Sequence, residues 1–173
     1  MKDALQKINH MQTDGVIGRY AIGGAVGAAL YLEPAATIDL DIFVTLPAVS
    51  GGLVTLTPIY EYLQLRGAKV VGEYIEMDGW PVQFLPASNA LEEEALKESV
   101  HIPVEGVMTW VMSAEHLVAI ALRTGRSKDH TRVLQFLERS AVDQPKLRRI
   151  IDKHGLTEKW DQFQRRYLKG VNE

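Results

Sequence analysis

Two aspartates separated by one residue, Asp39 and Asp41, are the side chains with the clearest potential for chemistry in this sequence. They lie in residues 37–46, where apolar residues alternate as in a β-strand. Both carboxylates are therefore expected on one face, with Cα atoms roughly 6–7 Å apart. Paired carboxylates repel each other, and a divalent cation that prefers oxygen ligands offsets this repulsion. The pair predicts a site for Mg²⁺ or Mn²⁺, which would also stabilise charge on a transferred phosphate.

The same spacing also fits an exposed strand that carries two solvated aspartates. Aspartate is depleted in strands, and the rest of this strand is strongly apolar, which favours the functional interpretation. A phosphatase with an Asp-x-Asp nucleophile is disfavoured, because in that class the aspartates end a strand. Here Ile42, Phe43 and Val44 continue the strand beyond Asp41.

A glycine pair, Gly23 and Gly24, joins a predicted strand over residues 16–22 to a predicted helix over residues 25–32. Glycines permit close approach of the backbone to a ligand, and a helix N-terminus offers free N–H groups to a phosphate. A tight strand-to-helix turn requires the same residues without any ligand. The sequence contains neither the Walker A pattern nor the dinucleotide-binding glycine pattern, which argues against those two classes.

A strand, a glycine pair, a short helix and an Asp-x-Asp strand, in this order, resemble the nucleotidyltransferase superfamily. The matching segments begin at Tyr20 (YAIGGAVGAAL) and at Thr37 (TIDLDIFV). A further segment, which begins at Ser113 (SAEHLVAIALRTGRSKDH), resembles the helical part of AbiEii-type and related minimal nucleotidyltransferases. The resemblance covers residues 15–140.

The resemblance implies two sets of site residues. The catalytic set comprises Asp39, Asp41 and Asp129, of which the first two would hold the metal. The set that would bind the nucleotide and its phosphates comprises Gly23, Gly24, Thr37, Arg123 and Lys128. The basic residues also fit a simpler role, because cations are favourable near a helix C-terminus. Asp129 is likewise favourable as an acid in the first turn of a helix.

Three features depart from the family pattern. Gln83 stands where many members carry a third carboxylate, and a neutral amide cannot be the general base that deprotonates the attacking hydroxyl. Glu73 and Glu76 are the candidate substitutes. Relatives often have an arginine shortly before the Asp-x-Asp strand, but residues 33–36 contain none, and Arg123 stands where the family often has a lysine. The alternative function is therefore a catalytically weakened protein that binds a nucleotide or a protein partner.

The leading hypothesis is a Mg²⁺-dependent enzyme that moves a nucleoside monophosphate from an NTP to a hydroxyl group. The candidate acceptors are RNA or tRNA, a protein side chain and a small molecule. AbiEii-type relatives include toxins of toxin–antitoxin systems, so an antitoxin-like protein is a candidate partner.

Composition limits the other function classes. The 173 residues carry a formal net charge of −3, which argues weakly against non-specific binding to nucleic acid. The sequence has no cysteine, so thiolate metal sites and cysteine nucleophiles are excluded. No signal peptide and no apolar run of about 20 residues is visible, which predicts a cytoplasmic protein without membrane contact.

The order of predicted elements indicates an α+β protein. Strands and helices alternate over residues 1–112, and four helices follow over residues 113–173. The resemblance specifies a nucleotidyltransferase (polymerase beta-like) fold, with a small mixed sheet flanked by helices and a C-terminal helical region packed on this core as one unit. Residues 69–76 and 82–85 are predicted to pair as a hairpin around Asp78-Gly79. Ser113 and Ser127 are predicted helix N-caps, and Gly125 a helix end.

Overall fold

Seven strands form one mixed sheet in a computed structural model of the chain, which describes residues 1–32, 39–47 and 55–168. The strands are β1 (Tyr20–Ile22), β2 (Leu40–Val44), β3 (Lys69–Val71), β4 (Tyr74–Met77), β5 (Trp80–Pro86), β6 (Val100–Val104) and β7 (Val107–Val111). The helices within these ranges are α1 (Lys2–Thr13), α2 (Gly24–Ala29), α3 (Thr57–Gln64), α4 (Ala90–Lys97), α5 (Ala114–Thr124), α6 (Ser127–Glu138), α7 (Gln144–Lys153) and α8 (Thr157–Tyr167). None of them is both long enough and apolar enough to cross a membrane.

β2 lies at the centre of the sheet, whose strand order is β3-β4-β5-β2-β1-β7-β6. It runs antiparallel to β1 and parallel to β5, and the register with β5 places Gln83 opposite Asp41. β1 in turn runs parallel to β7. The predicted α+β class with a mixed sheet is confirmed.

The two faces of β2 pack against different helices. Leu40, Ile42 and Val44 are fully buried in one hydrophobic cluster, together with residues of α1 and α3. Phe43 belongs to the other cluster, to which α4 to α8 contribute most of the residues. Successive side chains of a strand point to opposite sides of a sheet, so Asp41 shares the face of Phe43.

The first strand and the helix that follows it are shorter than predicted. The backbone N–H groups of Val16 and Ile17 both donate to the carbonyl of Met11, in the turn that ends α1. These residues are therefore not available for pairing in the sheet, and β1 has three residues. Helix α2 has six residues and ends at Ala29 rather than at residue 32.

The hairpin predicted around Asp78 and Gly79 is confirmed, because β4 and β5 pair antiparallel on either side of it. The prediction of one strand over residues 69–76 is wrong. A turn at Gly72, with a φ of +62°, divides this segment into β3 and β4, which pair with each other. β3 thereby becomes one edge of the sheet, and β6, which contains Pro103, forms the other.

The predicted ends of α5 are confirmed. Ser113 caps the helix by accepting a backbone N–H of the first turn, and Gly125 ends it at a φ of +72°. The prediction that Ser127 caps α6 is wrong, because Ser127 is already the first residue of this helix. Asp129 accepts the backbone N–H of Arg126 instead. A carboxylate suits this position because it complements the positive end of the helix dipole.

Candidate functional site

A cavity of about 350 Å³ lies where β2 and β5 meet α5 and α6. Its polar lining consists of Asp41, Gln83, Ser88, Glu92, Thr124, Arg126, Asp129 and Arg132. Gly24 and an apolar wall that includes Phe43, Leu85, Leu117 and Ile120 complete it. The cavity therefore combines charges of both signs with an apolar surface.

Asp41 is held at this cavity by the glycine turn that follows β1. Its carbonyl accepts a hydrogen bond from the backbone N–H of Gly23, with an N···O distance of 2.9 Å. A β-carbon on Gly24 would lie 1.8 Å from Oδ2 of Asp41, and the φ of Gly24 is +55°. Gly24 is therefore required both for its backbone conformation and for the space it leaves to the carboxylate.

The charges around Asp41 act in opposite directions. Burial raises the pKa of its carboxyl group, and the charge of Asp39 raises it further. Arg132, Lys128 and Arg126 lower this pKa through their charges, yet the net direction is upward. An additional cation would stabilise the ionised carboxylate, so the electrostatics at Asp41 fit the Mg²⁺ ion predicted from the sequence.

Asp39 immediately precedes β2 and lines a second cavity of about 200 Å³ with residues of β3, β4 and β5. Desolvation and the charges of Asp39, Glu73 and Asp41 raise the pKa of Tyr74, whose hydroxyl donates a hydrogen bond to Asp39. Three carboxylates thus act electrostatically on one phenol. The negative potential at this end of β2 favours a bound cation.

Asp129 is 1% exposed, and it pairs with the two guanidinium groups that line the cavity, those of Arg126 and Arg132. Its Oδ2 accepts from Nε of Arg126 at 2.7 Å, and its Oδ1 accepts from Nη2 of the same residue at 3.2 Å. Nη1 of Arg132 lies 3.8 Å from Oδ1. A bidentate pair of this kind fixes the orientation of a guanidinium. The buried carboxylate therefore positions two cations that also act on Asp41.

Gln83 lies in the same cavity, in register with Asp41. Its Nε2 donates to Oε2 of Glu73 at 3.4 Å, so Glu73 reaches the position at which the sequence lacks an acid. Glu76 lines the second cavity, together with Asp39. Of the two candidate substitutes for the missing acid, Glu73 is the one in contact with Gln83.

Of the predicted site residues that the structure describes, Gly23, Asp39, Arg123 and Lys128 do not line this cavity. Arg123 donates from Nη1 to Oδ1 of Asn89 at 2.8 Å, and the described lining of the cavity does not include it. Lys128 is exposed and acts on Asp41 through its charge. Thr37 lies outside the described residues.

Sequence reasoning missed Arg132 as a site residue. It follows Asp129 by three positions in α6, and residues with this spacing lie on the same face of a helix. A search for basic residues one helical turn from Asp129 would have found it. Arg126, three positions before Asp129, also lines the cavity and could have been found by the same spacing.

No family model and no curated protein sequence matches this chain. Solved structures do match. The solution structure of the antibiotic-resistance factor ANT(2'')-Ia aligns with a TM-score of 0.57 over 97% of both chains, at 12% sequence identity. Its crystal structure in complex with adenylyl-2''-tobramycin aligns with a TM-score of 0.56 over 91% of this chain and 97% of that chain, at 14% identity. An antigenic nucleotidyltransferase-like protein from Paracoccidioides brasiliensis aligns with a TM-score of 0.52 over 79% of this chain and 73% of its own, at 12% identity.

These structural neighbours have nucleotidyltransferase folds, and the predicted nucleotidyltransferase fold is confirmed. The similarity concerns the fold, since identities of 12–14% leave most side chains different. The case for an activity therefore depends on the side chains that this chain places in its own cavity.

Gly24→Ala and Gly79→Ala separate backbone strain from collision with Asp41. Both glycines have positive φ, but a β-carbon on Gly79 meets no described atom within 4 Å. This conformation costs a non-glycine residue roughly 1–2 kcal/mol, which is the expected loss of unfolding free energy in Gly79→Ala. Gly24→Ala should lose more, because the carboxylate of Asp41 must also move. If chemical denaturation gives the two variants equal losses of unfolding free energy, the close approach of Asp41 to Gly24 is contradicted.

Asp41→Asn is expected to stabilise the metal-free protein at neutral pH. The pKa of Asp41 is higher in the folded protein than its unfolded value of 3.8. The contribution of this carboxyl group to folding stability is therefore fully present below pH 3.8 and is lost as the pH rises through the folded pKa. The gain from the substitution should therefore be present at neutral pH and absent below pH 3.8.

Asp152→Asn is the control for this pH dependence, because Thr157 and Arg148 lower the pKa of Asp152 through hydrogen bonds. That group contributes stability above its unfolded pKa, so its replacement should destabilise the protein at neutral pH. Urea denaturation of both variants over a pH series measures whether each substitution raises or lowers the free energy of unfolding. A neutral or destabilising effect of Asp41→Asn at pH 7 would contradict the raised pKa.

Proposed function

We propose that this protein is a metal-dependent nucleotidyltransferase, which moves a nucleoside monophosphate from an NTP to a hydroxyl group with release of pyrophosphate. The observation that carries the proposal is the partly buried Asp41 carboxylate, which lies against Gly24 in a cavity with two guanidinium groups. Enzymes of this class need carboxylates for a cation and fixed cations for the phosphates. Both are supplied here on a nucleotidyltransferase fold.

The charged residues in and beside the cavity suggest a division of roles. Asp41 in the cavity and Asp39, which lines the second cavity, would together hold Mg²⁺ or Mn²⁺, which would neutralise phosphate charge when bound. Arg126 and Arg132 would bind phosphate oxygens, since a guanidinium offers two parallel N–H groups to them. Asp129 is a positioning residue in this proposal, because Arg126 already occupies both of its oxygens.

The backbone and the surrounding charges complete the proposed phosphate site. Gly23 and Gly24 leave room for the triphosphate, and Lys128 adds positive potential. Arg123 is less well placed to bind phosphate, because its guanidinium is hydrogen bonded to Asn89. The apolar wall formed by Phe43 and its neighbours offers a surface for a base or for part of the acceptor.

Glu73 is the proposed general base. It is exposed, carries the carboxylate that Gln83 lacks, and lies within hydrogen-bonding distance of Nε2 of Gln83. A carboxylate in this place can accept the proton of the attacking hydroxyl.

The acceptor is proposed by class. A small molecule with hydroxyl groups is supported by the neighbouring ANT(2'')-Ia structure, which contains adenylyl-2''-tobramycin. RNA or tRNA and a protein hydroxyl are the other proposed acceptors, and they correspond to the AbiEii-type resemblance of the sequence. A toxin role with an antitoxin-like partner belongs to this second set.

We also propose that residues 1–112 and 113–173 work as one unit. One hydrophobic cluster contains Ala21 and Phe43 from the sheet together with Leu117 and Phe136 from the C-terminal helices. The cavity likewise takes its acids and cations from both parts, so separating them would dismantle it.

A second candidate is a catalytically weakened protein that binds a nucleotide or a protein partner. Gln83 favours it, because the side chain opposite Asp41 is a neutral amide. This candidate and the enzyme both predict NTP binding, and they differ in whether labelled nucleotide is transferred to any acceptor.

Asp41→Asn should reduce transfer of labelled nucleotide by about 100-fold or more, the usual effect of losing one transition-state electrostatic contact. Transfer is measured with total RNA, protein and aminoglycosides as acceptors, in the presence of Mg²⁺. The double variant Asp39→Asn/Asp41→Asn should also lose Mg²⁺-dependent NTP affinity. Asp161→Asn, an exposed change of the same kind on α8, should retain both. Unchanged NTP affinity in the double variant would falsify the proposed site.

Glu73→Gln should reduce transfer by about 10²–10⁴-fold, because it removes the proposed base. Adding Gln83→Asp to this variant should restore part of the rate, since an acid then stands in register with Asp41. Glu61→Gln, an exposed change on α3, is the matched control. If Glu73→Gln retains full activity, Glu73 is not the base. If the wild type transfers nothing while Gln83→Asp does, the weakened-protein alternative is correct.

A further inference from the structure

The buried histidine of α5 has a ring nitrogen without a partner. His116 is fully buried, and its Nε2 accepts or donates no hydrogen bond within the part of the chain that the structure describes. Its Nδ1 lies 2.9 Å from the hydroxyl oxygen of Ser113. Buried polar atoms are nearly always paired, so an unpaired imidazole nitrogen calls for a ligand.

The Ser113 hydroxyl orients the ring of His116 from the side opposite Nε2. When Nδ1 donates to the Ser113 oxygen, Nε2 presents an unshared electron pair, as in histidines that bind metals through one nitrogen and are oriented through the other.

Two carboxylates converge on this nitrogen. Oε1 of Glu94 lies 3.7 Å from Nε2 of His116, and Glu98 follows Glu94 by four residues at the end of α4. One ligand atom from each of the three residues lies within 4.8 Å of those of the other two. Three electron-rich atoms at this separation repel one another unless a cation lies among them.

We propose that His116 Nε2, Glu94 and Glu98 bind a divalent transition-metal ion, for which Zn²⁺ is the best match. Zn²⁺ takes imidazole nitrogen and carboxylate oxygen in the same site, and three protein ligands leave a fourth position for water. This site lies between α4 and α5, with different ligands from the Asp39–Asp41 pair, and it does not depend on the proposed function.

The cations already present leave room for the metal. Lys153 and His154 both contact Oε2 of Glu94, whereas the oxygen nearest His116 is Oε1. Lys146 lies 3.8 Å from Oε2 of Glu98 and closer, at 3.4 Å, to Oε2 of Glu115. Three carboxylates therefore face two ammonium groups and the imidazole of His154.

Metal binding here would link two walls of the cavity. Glu92, two residues before Glu94, lines the cavity from α4, and Leu117, next to His116, lines it from α5. A shared ion would fix these helices relative to each other. The ion would therefore stabilise the folded protein, because it binds a geometry that the unfolded chain lacks.

Metal uptake by the full-length chain tests the site. Protein stripped with a chelator is titrated with Zn²⁺ by calorimetry and with Co²⁺ by visible absorption, using the double variant Asp39→Asn/Asp41→Asn to remove the first carboxylate pair. We expect one equivalent to bind, with the absorption of a low-coordinate Co²⁺ site, and Zn²⁺ to raise the Tm. His116→Gln should lose both signals.

The matched pair Glu98→Gln and Glu93→Gln keeps the test decisive if His116→Gln does not fold. The side chain of Glu98 is 47% exposed, and Glu93 is an exposed acid of the same helix that lies outside the ligand group. Glu98→Gln should weaken binding by about 10-fold or more, and Glu93→Gln should leave it unchanged. No uptake by the wild type, or equal affinity in the two variants, would overturn the proposal. Loss of nucleotide transfer in Asp41→Asn with intact Zn²⁺ uptake would show that the two sites are separate.

Discussion

The contact between the carboxylate of Asp41 and the bare α-carbon of Gly24 is the constraint on which the site depends. The acid occupies the volume that any side chain at position 24 would fill. The backbone hydrogen bond from Gly23 to Asp41 holds the turn and the strand in this relation. Because β2 is at the centre of the sheet and buried on its other face, the strand cannot retreat to relieve the crowding. The position of β2, the turn at Gly23 and Gly24, and the placement of the Asp41 carboxylate therefore depend on one another.

This arrangement keeps charged groups at unfavourable positions in the folded protein. Asp41 is partly desolvated beside Asp39, while Asp129 is buried with its guanidinium partners. Two apolar layers compensate, one on each face of the sheet. Desolvated charges of this kind lower the stability of the folded protein, and they are common at sites where charged groups are positioned for a ligand. The unfavourable electrostatics of Asp41 are what the proposed cation site requires, since a bound cation would offset them.

Local patterns in the sequence were sufficient for the central strand, the glycine turn and the ends of α5, because each depends on neighbouring residues. They were insufficient for the start of β1, because the N–H groups of Val16 and Ile17 donate to the carbonyl of Met11 near the end of α1. They also missed the break at Gly72 and the contact of Glu73 with Gln83, since both arise from pairing between strands. The contact of Arg123 with Asn89 likewise depends on how distant segments meet, which spacing along the chain does not specify.

The two edge strands influence how this protein behaves at high concentration. β3 has three residues, and Pro103 in β6 has no N–H with which to extend the sheet. Neither border is a good template for an added strand from another molecule, although Val70 and Val71 are exposed on the first. Strand addition from another molecule is therefore disfavoured at both edges, and we expect complexes of this protein to use side-chain surfaces.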